Sequence, residues 1–444
     1  MPFYYLLSKL CKLRRDFIGS VISVLDRELV ERELTGFTKR NRVYTTWVTI
    51  VIYLSQVATR CSCRRIVSSA INHKVIPSTC SSDDSAYCNR RKVLPEQGLM
   101  KLAFEVGRRL SLKVRKSEML FNRRVKVVDG TSFHIPDTPS NRSEYPYSTR
   151  QKEGCGTPVM YVSALMDLST GAMIRAETIG KSGYELKLFR RLWRWIKKGE
   201  IILGDAAYMT YGIIAGLLDR SVDCVFCWNN RRHHKPKVKK LGVNDWLEEW
   251  DKPVKEESWI KSNQPEKLTV RVIKFIWEAD GFRSKPKELV TSLLDPKIYP
   301  KEKIIELYYR RWEQEIRFDD IKTSMKLADL TCKTPERCRS ELWMGLLAYN
   351  LIRTVMLDSA KNYKLNICRL SFLGTMDRII EMASGKLFHN DPGYAYDLTL
   401  KHIADDALPY RPGRYEPRRV KRRRTKYSFL TTTRKVAREA RCNS

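Results

Sequence analysis

Two aspartates stand at the ends of short β-branched runs. Asp129 closes Val125–Asp129 within Val-Val-Asp-Gly-Thr, and Asp205 closes Ile201–Asp205 within Leu-Gly-Asp-Ala-Ala-Tyr. Strand C-terminal ends are where α/β sheets place their ligands. An Asp there can also be a turn former or a helix cap, so the pair says more than either residue alone. A third acid comes from a helical stretch over Pro300–Thr323. Tyr308, Arg311, Glu315 and Lys322 are spaced three, four and seven residues apart. At roughly 100° per residue they fall within about 60° of one another and form one stripe. That stripe carries one carboxylate flanked by two cations and a phenol. Arg311 and Glu315 could equally be a surface i,i+4 ion pair. The same helix also offers Glu313, Asp319 and Asp320, so spacing alone does not single out Glu315.

The elements that must position these acids are legible in outline. Val159–Met166 and Ala172–Ile179 read as strands around the turn Asp167–Gly171, a hairpin. Glu185–Lys197 shows a helical apolar repeat. Ile201–Asp205 reads as a strand, Met209–Leu218 as a helix and Val222–Trp228 as a strand. The order β-β-β-α-β-α-β predicts a mixed sheet with helices on both faces. In an RNase H-like fold the first and fourth strands lie side by side, which brings Asp129 and Asp205 to one edge of a cleft. Residues 229–298 read as a β-rich insertion before the helix that carries Glu315, with strands at Leu268–Ile276 and Leu289–Leu294. Glu341–Met356 is nearly all apolar and is expected in the core. Residues 1–115 read as helical, with Arg90, Arg91, Lys92, Arg108 and Arg109 either on a helix-turn-helix DNA reader or on a solvated face.

Composition points to the partner. Lys plus Arg number 83 against 50 acids, a net charge of +33 and a pI near 9.8, which favours polyanions. The tail from Arg411 includes Lys421-Arg422-Arg423-Arg424, expected to track phosphates. The longest apolar stretch, near Trp47–Ala58, is too short and too interrupted to span a bilayer. Met1–Leu13 has its basic residues after the apolar cluster, the wrong order for a secretory signal. A cytosolic protein with reduced cysteines is expected. Cys224 and Cys227 have C-x2-C spacing before His233 and His234, yet Val222–Trp228 alternates like a buried strand, where Cys is a small hydrophobe. Trp312 is expected to pack against its helix's neighbours rather than to stack on a base, Tyr208 either to pack on the sheet or to orient a phosphate, and Arg231, Arg232, Lys235, Lys237, Lys239 and Lys240 to form a solvated loop rather than to line a DNA channel.

The helical stripe has a close parallel. Tyr308-x2-Arg311-x3-Glu315-x6-Lys322 matches in full the Y-x2-R-x3-E-x6-K motif, and the chain resembles the IS-four family of insertion-sequence DDE transposases. Asp129-Gly130-Thr131 and Gly204-Asp205-x2-Tyr208 look like the family's first and second acid motifs. The resemblance continues through Gly180-Lys181-Ser182-Gly183, Thr291–Asp295, Lys333–Pro335 and Leu347–Arg353, covering roughly residues 80 to 440.

The resemblance implies an RNase H-like fold and a catalytic triad of Asp129, Asp205 and Glu315 holding two Mg2+ or Mn2+ ions. Tyr308, Arg311 and Lys322 would contact DNA phosphates beside the scissile bond. Partners would be terminal inverted repeats and target DNA, the chain acting as a homodimer in the bacterial cytoplasm at the nucleoid, with no membrane role. The implied organisation is a helical DNA-binding domain (1–115), a catalytic core in two parts (116–228 and 299–360) around an insertion subdomain (229–298), and a C-terminal helical region with a basic tail (361–444). Two other readings keep the fold: a catalytically retired DNA binder, and a nuclease without strand transfer. One departure stands out. Some relatives carry a Trp near the start of the strand before the motif helix, and Lys287–Val290 has none, which leaves a hairpin intermediate an open question.

Overall fold

The computed structural model describes residues 25, 27–34, 43–114, 118–145, 147, 156–180, 185–230, 232–253, 264–277, 285–383 and 392–409, with a few positions near the C-terminus. The N-terminal apolar cluster, Lys181–Gly183, Arg231 and the Lys421–Arg424 run lie outside the described residues.

Five helices come first: α1 (Arg27–Glu33), α2 (Thr46–Thr59), α3 (Cys63–Asn72), α4 (Ser85–Lys92) and α5 (Glu96–Leu112). Thr45 and Ser62 cap α2 and α3, each hydroxyl accepting from a first-turn amide, which satisfies donors that a helix start otherwise leaves unpaired. Of the basic residues on these helices, Lys92 and Arg108 are exposed and Arg91 is partly buried. Arg91 lies over the rings of Tyr53 and Tyr87 and donates to Gln56, while Arg108 and Arg109 pair with Glu105.

The middle of the chain builds β1 (Val125–His134), the short α6 (Pro139–Glu144), the hairpin β2 (Val159–Asp167) and β3 (Met173–Ile179), α7 (Glu185–Leu192), β4 (Ile201–Gly204), α8 (Tyr211–Leu218) and β5 (Asp223–Cys227). β1 pairs antiparallel with β2 and parallel with β4, and β4 pairs parallel with β5. Three antiparallel strands followed by two parallel ones in the order β3-β2-β1-β4-β5 form an RNase H-like sheet. β1 does not end at Asp129: its pairing with β2 runs on to His134, so Asp129 sits inside the strand.

The segment 229–298 adds β6 (Lys237–Gly242), β7 (Asp245–Asp251), β8 (Lys267–Trp277) and β9 (Lys285–Thr291). β9 begins and ends earlier than expected, and it pairs antiparallel with β5, so these strands continue the same sheet to nine. The exposed lysines 237, 239 and 240 lie on the outer strand rather than in a loop.

Apolar side chains cover both sheet faces. On one, α7 and α8 bury Phe189, Leu192, Ile213, Ile214 and Leu217 against Val128, Ile202 and Phe226. On the other, α9 (Lys301–Tyr309) packs Ile304, Leu307 and Tyr308 on Val125, Val127, Leu203 and Val225. Beside it lies α11 (Pro335–Asn362), which follows α10 (Trp312–Asp319) and is buried nearly all round, as its composition predicts. It packs with α5 on the hairpin. Gly107 of α5 allows that approach, since a Cβ there would collide with the Met173 carbonyl. Two further helices, α12 (Phe372–Ala383) and α13 (Pro392–Asp405), close this layer. No described helix is long and apolar enough to cross a membrane.

Candidate active site

β1 and β4 bring the two aspartates level. Their parallel pairing matches Val127 with Leu203, and each aspartate lies two residues further on, where the strands part. Alternation puts Asp129 on the face of Val125 and Val127, the face that carries α9 and α10. Asp205 directly follows β4 and caps the short turn Ala206–Tyr208, its carboxylate accepting from the Ala207 amide at 2.8 Å. It therefore does the capping work that a structural Asp does, and it does so beside a second acid.

The helical stretch delivers Glu315 in pieces. The chain is not one helix over Pro300–Thr323: α9 ends at Tyr309 and α10 starts at Trp312. At the junction the amides of Arg310 and Arg311 bond to Leu307 and Tyr308, three residues back, a tightened turn. The Arg311 guanidinium leaves this junction between two acids, with Nη1 3.6 Å from Asp129 Oδ2 and Nη2 donating to Glu315 Oε1 at 3.0 Å. After α10 the chain widens into a π-type turn over Asp320–Ser324, which carries Lys322. The Lys322 ammonium lies 5.5 Å from the centre of the Phe133 ring on β1. The break and the wide turn arise from tertiary pairing, because every residue here is an acceptable helix former.

The other acids of this stretch face different partners. Glu313 pairs with Arg310 at 2.9 Å and Asp320 with Arg317 at 3.4 Å. Only Glu315 among the acids with described ion pairs here is linked through a shared guanidinium to β1. Tyr308 is turned inward, 3% exposed in the apolar layer under α9, with Arg311 5.8 Å from its ring centre. It props the guanidinium rather than facing solvent. Trp312 departs from expectation: it is 47% exposed, as is Ile316 one turn on, because the kink turns that side of α10 outward.

One residue, Glu185, escaped the sequence reading, and Tyr208 takes the packing role that was one of its two expected ones. Glu185, the first residue of α7, reaches back under β1, and a Cβ added at Gly130 would stand 2.5 Å from its Oε1. Tyr208, wholly buried, packs on Phe189 and donates its hydroxyl to Glu185 at 2.6 Å. The signal that could have found Glu185 is the glycine after Asp129, the one residue that leaves room for a carboxylate there. Burial, with Glu185 and Asp205 nearby, pushes the Asp129 carboxyl up to about 6 against the opposing pull of the Gly130 amide and Arg311. Burial likewise raises Glu185, opposed by the Tyr208 hydroxyl. The site is thus an anionic cluster partly offset by the half-buried Arg311 guanidinium.

The ligand atoms of Asp129, Asp205 and Glu315 do not all lie within 4.8 Å of one another; among the described residues one trio does, Cys63, Asp84 and Cys88, away in the N-terminal helices. Cys224 is fully buried in the sheet core, where it behaves as the small hydrophobe its strand pattern predicts. His234 stacks on Trp228 and bonds Glu248 and Glu288.

A family model described as "Transposase DDE domain" matches residues 121–351, from the approach to β1 through the first half of α11. The chain belongs to the DDE transposases. It is 27% identical over 322 residues to the transposase InsG for insertion sequence element IS4 of Escherichia coli (strain K12), an alignment covering 68% of each chain. Together with the Tyr308 to Lys322 motif, this makes it an IS4-family transposase. The solved Mos1 transposase paired-end complex with left transposon end aligns at 14% identity and a TM-score of 0.16, over 42% of this chain and 60% of that one. Within this transposase, the matched span takes in Asp129, Asp205, Glu315 and also Glu185 and Tyr208.

Proposed function

We propose that this transposase binds the terminal inverted repeats of an insertion sequence, cleaves DNA there and joins the freed end to target DNA. The observation that carries this reading is the level placement of Asp129 and Asp205 beyond the β1–β4 pairing, with Glu315 linked to Asp129 through Arg311. The donor set fits divalent cations: hard carboxylate oxygens with a charge excess that burial makes costly for Asp129. Asp129, Asp205 and Glu315 would hold two Mg2+ or Mn2+ ions. Such ions, when bound, supply an activated water or DNA 3′-hydroxyl and stabilise the leaving oxygen of an in-line displacement.

The chain's own residues do the rest. Arg311, propped by Tyr308, offers its planar fork to a phosphate once the acids no longer need it, a match of geometry that Lys lacks. Lys322 contributes a second cation further along. Glu185, held by Tyr208, keeps the Asp129 side of the cleft anionic. We read residues 1–115 as the DNA-binding domain, 229–298 as an insertion subdomain and the basic tail as a non-specific phosphate contact. The chain works as a homodimer on DNA in the bacterial cytoplasm.

The deciding experiment incubates purified protein with Mg2+ and DNA carrying the gene's native flanks, beside Asp129→Ala. Cleavage at the outer edges of an inverted repeat followed by joining to target, both lost in the variant, is the expected result. Cleavage without joining would make it a nuclease, and DNA binding alone, equal in both proteins, a retired transposase.

A further inference from the structure

The N-terminal helices enclose a satellite core of six buried side chains, Ile52, Ile66, Val67, Ala70, Ile76 and Tyr87, with Cys61, Cys63, Cys80 and Cys88 packed around it. So small a core contributes little stability by itself. At its border Cys63 opens α3 and Cys88 lies on α4, their thiols within hydrogen-bonding reach of each other. Gln56 donates to the Cys63 sulfur at 3.3 Å. Asp84 occupies the N-cap position of α4 but makes no side-chain cap bond. The neighbouring Asp83 takes that work, accepting from the Ser85 amide at 2.9 Å, and the Asp84 carboxylate is left to face the two sulfurs. The ligand atoms of Cys63, Asp84 and Cys88 all lie within 4.8 Å of one another, half-buried.

We propose that Cys63, Asp84 and Cys88 form a structural zinc site that staples α3 to α4. Two thiolates and one carboxylate suit a borderline-soft, tetrahedral ion, and the sulfurs discriminate against Mg2+. Water takes the fourth position. Binding forms two Zn–S bonds and one Zn–O bond and releases two thiol protons to solvent, with no change of oxidation state. The site is separate from the acids of β1, β4 and α10, and its test does not depend on transposition. Its role is mechanical: it fixes the turn between α2 and α3 against the helix that carries Arg90, Arg91 and Lys92.

The test is a Co2+ titration of the full-length, metal-stripped protein in a phosphine reductant with excess Mg2+ present. One equivalent of cobalt should give a thiolate-to-cobalt charge-transfer band, bleached by zinc. The Cys63→Ser/Cys88→Ser variant should lose the band and Cys224→Ser should keep it. Asp84→Asn, which spares both thiols, should weaken cobalt binding by more than the roughly hundredfold at most that loss of an outer-shell partner gives, and it serves if the double variant fails to fold. No band in the wild type, a band unchanged by the double variant, or a Cys63–Cys88 disulfide that forms with zinc present would each overturn the proposal.

Discussion

Arg311 and Asp129 meet at 3.6 Å across the gap between α10 and β1, and the same guanidinium hydrogen-bonds Glu315 at 3.0 Å. One cation thereby joins two acids that lie far apart in the chain. In a partly dry site such a link is strong, and removing one partner leaves the other uncompensated.

Arg311→Gln should therefore act in two directions. It should lower transposition by roughly a hundredfold or more through loss of a phosphate-matching cation, and also lower thermal stability without metal, because Asp129 loses its nearest positive charge. Added Mg2+ should restore the melting temperature but not the activity. Differential scanning fluorimetry with and without Mg2+ checks the first, and a strand-transfer assay the second.

Asp129 gives the pH dependence. Its carboxyl is raised from the ordinary 3.8 to about 6, so the folded protein prefers it protonated. The sign follows from linkage: this stabilising contribution is fully present below the unfolded value and is lost as pH rises through about 6. Spread over that window the loss is about 3 kcal/mol by the pKa difference alone. Asp129→Asn should remove it, so the metal-free variant should match the wild type near pH 4 and melt higher at pH 8. Equal melting curves at both pH values would contradict the assignment.

The Tyr208 hydroxyl is the partner that keeps Glu185 in place. Tyr208→Phe removes a buried bond to a carboxylate and should cost about 1–3 kcal/mol, with a shift of the lower limb of the pH–rate profile to higher pH. If Glu185 served packing alone, stability would fall and the profile would stay where it is. Chemical denaturation and a pH series of cleavage rates separate the two.

Asn350 and Arg353, within the Leu347–Arg353 resemblance, serve the scaffold. Asn350 donates to Ala103 and Met173 carbonyls at 3.0 Å and accepts from the Met173 amide at 2.9 Å. Arg353 donates twice to the Thr170 carbonyl in the β2–β3 turn. Asn350→Ala should destabilise the protein by roughly 2–4 kcal/mol, since three buried backbone groups lose partners. Urea denaturation measures it, and activity of the remaining folded fraction should be unchanged.

What could be read in advance follows from where the information sits. Asp129 and Asp205 were visible because each adjoins a run of β-branched residues, and the β1–β4 register turned that local signal into proximity. Glu315 needed the motif, since Glu313 and Asp320 have equal claims until their arginine partners are seen. The kink before Trp312 and the wide turn at Lys322 were hidden, because no glycine or proline between Arg310 and Ser324 marks a break. The exposure of Trp312 followed from the same hidden kink. Glu185 was hidden too: a lone glutamate opening a helix looks like a first-turn acid, which it also is.

The outermost strand has one further consequence. β6 presents Lys237, Lys239 and Lys240 to solvent, and its pairing with β7 slips at two points. An unpaired strand is ordinarily an invitation to another chain, and clustered like charge with broken regularity withdraws it. A second molecule approaching that border in register would set ammonium groups against ammonium groups. That border of the sheet is thus guarded against strand addition by a second copy of the chain.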